Sequence, residues 1–346
     1  MTVKDEEYLK RNILITFRKQ ASQYKNRPYY RFMGLQEYET LLQNKTIYFT
    51  NPVEWKLSNT GDQNETYFED WFFDENNLAS TYKMIKNKSQ ERYKQYCSQQ
   101  TIMGIYSGFV AAAALLQQSS FCYCITDTYA NRKMIDEYHQ KYKRNVIVKF
   151  KTDFYTKISI LNDVDFVPPG TYLFADVMPM VYVNNLETFI EHYICNEHRL
   201  SDVAKNAFDY GAFLKHSDYS YEQETRIKLR MHLDEGYSLQ GLCHDFYIDT
   251  LGLEDDEEII KKSRDFILSH RKKLNEIFDH VQDKIKTIGG KKCFELNLAD
   301  VCIKDIVDCI ILHNNANVEE KECVYKLAKL NDVDVKEIDF SLLPMI

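Results

Sequence analysis

An α+β architecture, a mixed or split β-sheet core carrying helical additions, is what the residue pattern of this chain predicts, and three observations carry it. Strand-like and helix-like runs follow one another as strand, helix, strand between Tyr29 and Thr50, again between Phe121 and Phe150, and once more at the end of the chain. Gly and Pro number only 11 and 6 among 346 residues, well below usual shares of about 7% and 5%, so long regular elements dominate. Hydrophobic residues at 44% beside charged residues at 28% can bury a sizeable core. The length suits one large or two medium domains. With no internal repeat and no long linker in view, residues 1–230 are expected to form an α+β core with a helical insertion. Residues 231–346 are expected to add a helical and strand-helix-strand part packed on the same core.

Taken in order, Leu9, Ile13 and Phe17 stand four apart and predict an opening helix from Glu6 to Lys19, stopped by Pro28. Tyr29 to Met33 has the aromatic content of a strand, Leu35 to Gln43 reads as a short helix, and Thr46 to Thr50 reads as a second strand closed by Asn51-Pro52. Trp55 to Asp74 lacks periodicity and reads as a long loop or lid. Helices are expected from Ala79 to Gln99, Met103 to Leu116 and Asn131 to Tyr142, with apolar strands at Phe121 to Thr126 and Asn145 to Phe150. Pro168-Pro169-Gly170 marks a turn, Val177 to Val183 a strand, and Leu186 to Leu214 a long helical run. Tyr219 to Leu229 alternates as a strand, placing Glu222, Glu224, Arg226 and Lys228 on one face. After the acidic run Glu254 to Glu258, apolar residues from Ile259 to Ile285 hold helical spacing until Gly289-Gly290, read as the helix stop. A strand at Ile306 to Leu312, a helix at Val318 to Leu330 and a strand at Val333 to Ile338 complete the chain.

Several kinds of chemistry are disfavoured. The formal charge of -8 argues against a surface built mainly to neutralise phosphates, although a local basic groove survives that argument. The basic residues Lys83, Lys86, Lys88, Arg92 and Lys94 read as a solvated helix face. No apolar run reaches the 18 or so residues that span a bilayer, and Met1 to Lys10 has no apolar export segment, so no membrane partner and a cytoplasmic location are expected. Nine cysteines, an odd number thinly spread, fit reduced thiols better than a disulfide framework. Cys122 and Cys124 would share one side of a strand, and His192, Cys195 and His198 lie near one helical face. Neither set has a convincing metal-site spacing, so no metal is expected. Phosphate-loop, Rossmann and nucleophile-elbow motifs are all missing.

What remains is a set of polar residues on strands: Arg31 in an aromatic run, Thr126 at the end of an apolar one, and Glu222 with Glu224 on the alternating one. A strand interior is a costly place for charge unless a cleft or a partner accepts it. Read residue by residue, Arg31 could pair structurally with Glu222 or Glu224, Thr126 could simply end its strand, and the Glu222 to Lys228 face could be a solvated outer face. The patterns Tyr30-Arg31-Phe32-Met33, Tyr48-Phe49-Thr50-Asn51-Pro52, Cys124-Ile125-Thr126 with Tyr138 downstream, and Tyr221-Glu222-Gln223-Glu224-Thr225-Arg226 together resemble a bacterial domain-of-unknown-function family, number two-nine-seven-one in that series. The resemblance runs from about residue 28 to 230, and the closing strand-helix-strand is similar to that family's tail. The chain departs from it at Trp55 to Asp70, which replaces a Phe-Asn-Asp-Pro-like segment, at Thr126, where the family has Ser, and at Ile135, where it has Trp.

That family pattern is in turn similar to the ADP-ribosyltransferase layout, which implies an ADP-ribosyltransferase-like fold with NAD as substrate. The resemblance then gives Arg31 the task of holding a phosphate or ribose of NAD. Thr126 would orient the nicotinamide ribose and the glutamate, and Glu224 would be the catalytic carboxylate. Glu222 would meet the acceptor nucleophile, and Tyr138 or Tyr48 would stack on nicotinamide. The implied function is NAD-dependent transfer of ADP-ribose to a protein or nucleic-acid acceptor, or NAD cleavage, in a bacterial stress, toxin or phage-defence setting. The alternative is a non-catalytic regulatory or partner-binding module with the same fold. Clustering of Arg31, Thr126 and Glu224 in one pocket favours the enzyme, and their dispersal favours the module.

Overall fold

Ten strands form one mixed sheet, and two more make a small parallel pair beside it, in a computed structural model that describes residues 28–51, 71, 74–159, 171–183, 213–233, 239–280, 285–288, 290–298 and 301–342. The strands are β1 (Tyr29–Met33), β2 (Thr46–Thr50), β3 (Ser120–Thr126), β4 (Val146–Phe150), β5 (Thr171–Pro179), β6 (Val181–Val183), β7 (Leu214–His216), β8 (Glu224–Leu233), β9 (Ile285–Ile288), β10 (Lys291–Asn297), β11 (Val307–His313) and β12 (Asp334–Ile338). The helices used below are α1 (Leu35–Leu42), α2 (Glu75–Tyr93), α3 (Gln99–Ser119), α4 (Arg132–Met134, continued by a widened π-type turn over Ile135–Lys141), α5 (Phe154–Ser159), α6 (Leu239–Asp249), α7 (Asp256–His280), the single turn α8 (Ile303–Ile306) and α9 (Val318–Leu330).

The sheet branches at β3. Strand β8 pairs with β3 from Ser120↔Arg230 to Thr126↔Glu224 and so occupies one edge of it along its whole length. A strand has two edges, so β1 and β2 must share the other. β1 joins at Tyr30↔Thr126 and β2 at Thr50↔Cys122. From there β1 leads to β4, β11 and β12, while β2 leads to β10 and β9. The C-terminal strands β9 to β12 thus enter the same sheet as the N-terminal ones. One face is closed by α3, whose Ala111, Ala112, Ala113 and Ala114 are fully buried and allow close packing against α6 and α7.

Local sequence explains where the helices begin. The Asp74 side chain accepts from Asn76 N at 2.8 Å and Asn77 N at 3.2 Å, and Asn131 accepts from Lys133 N at 3.0 Å, both N-caps. Asn317 and Glu320 form a reciprocal capping box at 2.9 and 3.1 Å that opens α9.

Four expectations are corrected. The α2 helix starts at Glu75, set by the Asp74 cap, and breaks at Lys94, whose φ of 50° lies in the left-handed region. The long helix predicted to run through Ile285 is α7, which ends at His280; Ile285 begins β9. Gly290, at φ 80°, closes the hairpin between the paired residues Ile288 and Lys291 instead of stopping a helix. Leu214 belongs to β7, not to a helix, because it pairs with Val181. The alternating strand begins at Glu224: Ser217–Glu222 is a 3-10 turn, and Gln223 at φ 43° redirects the chain into β8. The expected helix at Glu6 to Lys19, most of the Trp55 to Asp74 loop, the Pro168-Pro169-Gly170 turn, the greater part of the Leu186 to Leu214 run, and His192, Cys195 and His198 lie outside the described residues.

Candidate functional site

The branching of the sheet sets up the site. Cys124 lies on β3 between Cys122, where β2 joins, and Thr126, where β1 joins, and no described strand pairs with that stretch of edge. Arg31 does instead. Its Nη1 donates to the Cys124 carbonyl, its Nε donates to Glu37 Oε1 of α1 at 2.6 Å, and its guanidinium lies 4.1 Å from the Tyr123 ring centre. Burial alone would push the Arg31 pKa down, but the Glu37 carboxylate reverses the shift and raises it. Burial would likewise raise Glu37, and Arg31 with Arg144 brings it below the ordinary carboxylate value. Arg31 therefore pairs with Glu37, not with Glu222 or Glu224.

Around this junction lies a small open cleft lined by Arg31, Thr126, Tyr138, Arg144, Glu222 and Glu224, among others. Five of the six residues singled out from sequence are thereby brought together. Tyr48 is not. Its hydroxyl donates to Glu295 Oε2 at 3.2 Å on β10, because β2 leaves β3 at the far end of the divergence and carries Tyr48 into register with Glu295. A stacking role for Tyr48 is thus withdrawn.

The two glutamates approach one another through Lys215 on β7. Lys215 Nζ lies 2.8 Å from Glu222 Oε2 and 3.3 Å from Glu224 Oε2, and Arg226 Nε donates to Glu224 Oε1 at 2.6 Å. All four side chains are at most 7% exposed. Desolvation disfavours charge on Glu224, yet Arg226 and then Lys215 outweigh it and hold the carboxyl well below the usual carboxylate range. The solvated-face reading of this strand fails for a topological reason: β8 is paired on both edges, by β3 and β5, and Phe213 and Lys215 lie against the face that carries Lys228 and Glu224.

Thr126 fastens the turn that carries Glu222. Its hydroxyl donates to the Glu222 carbonyl at 2.7 Å and accepts from Thr128 N at 3.2 Å, while Asn131 Nδ2 donates to the Tyr221 carbonyl at 2.9 Å. Thr126 thus positions the glutamate turn through its backbone. Tyr138 projects from the widened turn of α4 and stacks on Phe32 of β1, with ring centres 5.4 Å apart. Burial and then the nearby Glu222 push its phenol well above its ordinary value.

Lys215 and Arg144 were not found by sequence reasoning. Lys215 falls just after a run that reads as helical, so periodicity gave no hint of it. Charge arithmetic is the available signal, since two buried glutamates on one strand need more than Arg226 to compensate them. Among the described residues no group of three His, Cys, Asp or Glu side chains is placed to hold a metal. Cys97, Cys122, Cys124, Cys243, Cys293, Cys302, Cys309 and Cys323 are thiols outside any disulfide. No described helix is long and apolar enough to cross a membrane. Comparison with family models, with curated proteins and with solved structures gives no significant match to this chain.

Proposed function

We propose that the cleft receives the nicotinamide-ribose end of NAD and that the protein transfers ADP-ribose to a macromolecular acceptor, or cleaves NAD. The observation that carries this reading is the convergence of Arg31, Thr126, Tyr138, Glu222 and Glu224, from distant parts of the chain, on one hollow.

When the bond between ribose C1′ and the nicotinamide nitrogen breaks, its electron pair goes to the ring nitrogen and positive charge develops on the ribose. An ionised carboxylate already fixed in place stabilises that charge without reorganising. Glu224 meets both conditions, being charged and clamped by Arg226 and Lys215. The acceptor oxygen, or water for simple cleavage, forms the new bond to C1′ and gives its proton to Glu222. The Phe32–Tyr138 stack supplies an aromatic wall for the departing ring.

Nicotinamide release from NAD by the purified chain, compared with Glu224→Gln, tests the reading. The variant keeps an oxygen for Arg226 to bond but loses the charge, and turnover is expected to fall a hundredfold or more. Absence of both NAD binding and turnover overturns the proposal.

One observation favours a second reading, a non-catalytic binding module: Arg226 and Lys215 already engage both Glu224 oxygens. On that reading NAD or another ligand binds without turnover, and Glu224→Gln changes only stability.

A further inference from the structure

The cleft's charged groups divide into those spent on the fold and those facing the hollow. Arg31 is matched by Glu37, Lys215 by Glu222 and Glu224, and Arg226 by Glu224. Arg144 differs from all of them. It lines the same cleft and is half-buried, yet its one side-chain hydrogen bond among the described residues is from Nη1 to the Phe32 carbonyl at 3.0 Å, and it makes no ion pair among them. Of the four charged residues that line the cleft, Arg31, Glu222 and Glu224 are thus ion-paired, and Arg144 is not.

Beside it is Tyr138, whose ring lies 5.5 Å from the Arg144 guanidinium and whose hydroxyl makes no hydrogen bond among the described residues. A guanidinium offers a planar fork of donors, and a phenol adds one more. Partly desolvated and without an ion-paired carboxylate, that set suits a phosphoryl oxygen fork better than a neutral group.

We infer that Arg144 and the Tyr138 hydroxyl form the phosphate-binding subsite of the cleft. The ligand's diphosphate, or any phosphoryl group that enters, is anchored there and not on Arg31, whose donors are taken up by Glu37 and the Cys124 carbonyl. The identity of the ligand as a dinucleotide rests on the proposed function. The subsite itself does not.

Calorimetric titration of the full chain with ADP-ribose, with inorganic pyrophosphate and with nicotinamide riboside, which has no phosphate, tests this and separates a nucleotide from a free phosphate compound. Wild type is expected to bind the first two. Arg144→Gln should weaken both by roughly 10- to 100-fold, in the range of a charge-assisted hydrogen bond, and leave nicotinamide riboside within about twofold. Tyr138→Phe should weaken them by a few-fold. Arg144→Lys, which keeps the charge and guards against a folding artefact, should recover part of the loss. Pyrophosphate binding that depends on Arg144 without any nicotinamide release upholds the subsite and sinks the transferase reading. Nicotinamide release with an NAD KM unchanged in Arg144→Gln does the reverse. No binding of ADP-ribose or pyrophosphate to wild type, or equal weakening of all three ligands, overturns the subsite.

Discussion

Strands β8 and β11 both lie inside the sheet, each between two neighbours, yet they are held in opposite ways. In β11, Ile310, Ile311 and Leu312 are buried apolar side chains flanked by β4 and β12, and hydrophobic burial alone accounts for the strand. In β8, Ile227 and Leu229 serve the apolar face while Glu224, Arg226 and Lys228 are buried on the other. Charges taken from water cost several kcal/mol each by order of magnitude, and only mutual pairing repays that cost. The buried charges of β8 cluster with Lys215 beside the cleft, which Glu222 and Glu224 line.

Breaking the ionic unit should give the largest effect. Glu224→Ala leaves Arg226 and Lys215 undercompensated and is expected to cost about 3–5 kcal/mol by urea unfolding. Combining Glu224→Leu with Arg226→Met, which leaves Lys215 paired with Glu222, should recover much of that, as paired apolar replacements of buried ion groups do. On the β11 side, Ile310→Ala should cost about 2–5 kcal/mol, with no such recovery by a second site. A loss below about 1 kcal/mol for Glu224→Ala would erase the distinction between the two strands.

Acid sharpens the same comparison. Glu224 has its folded pKa depressed, so its contribution is complete above the ordinary value of 4.5 and is lost as pH falls through the folded value. His313 closes β11 within 4.0 Å of the His139 ring, and burial first, then His139, lowers its pKa below 6.5. Asp339 opposes that shift and Lys321 adds to it. Between the folded and unfolded values the unfolded chain binds more protons, so stability falls as pH drops below about 6.5, by at most ~1.4 kcal/mol per unit for this one group. Stability measured across pH should therefore show two limbs. His313→Gln should flatten the upper limb and Glu224→Gln the lower.

The smallest effect belongs to a local signal. Asn317→Ala removes half of the capping box at α9 and should cost about 1 kcal/mol in thermal unfolding, leaving ligand binding in the cleft unaltered.

Much of this was legible in the residues themselves. The runs at Tyr29 to Met33, Thr46 to Thr50 and Val318 to Leu330 became elements with those bounds, because their apolar spacing and their caps agree. Reading failed where tertiary pairing decides. Ile285 to Ile288 has helical neighbours but belongs to a hairpin, and a strand with Glu, Arg and Lys on one face looks wet until Phe213 and Lys215 pack against that face. Of the candidate site, Arg31, Thr126, Glu222 and Glu224 stood out as polar residues on strands, Tyr138 came from motif resemblance, and the five do meet. Tyr48 carried the same resemblance and does not, since adjacency in a motif says nothing about which prong of a fork a strand follows. Arg144 and Lys215 carried no local pattern and became visible only through their neighbours.

The fork in β3 has one further consequence. Because the Arg31 guanidinium stands in for a missing strand at the Cys124 carbonyl, position 31 is a keystone before it is a ligand contact. Shortening it strips a main-chain acceptor of its donor and unlocks the wedge between two diverging half-sheets. An inactive Arg31 variant would then testify to collapsed masonry, and its silence would say nothing about substrate recognition.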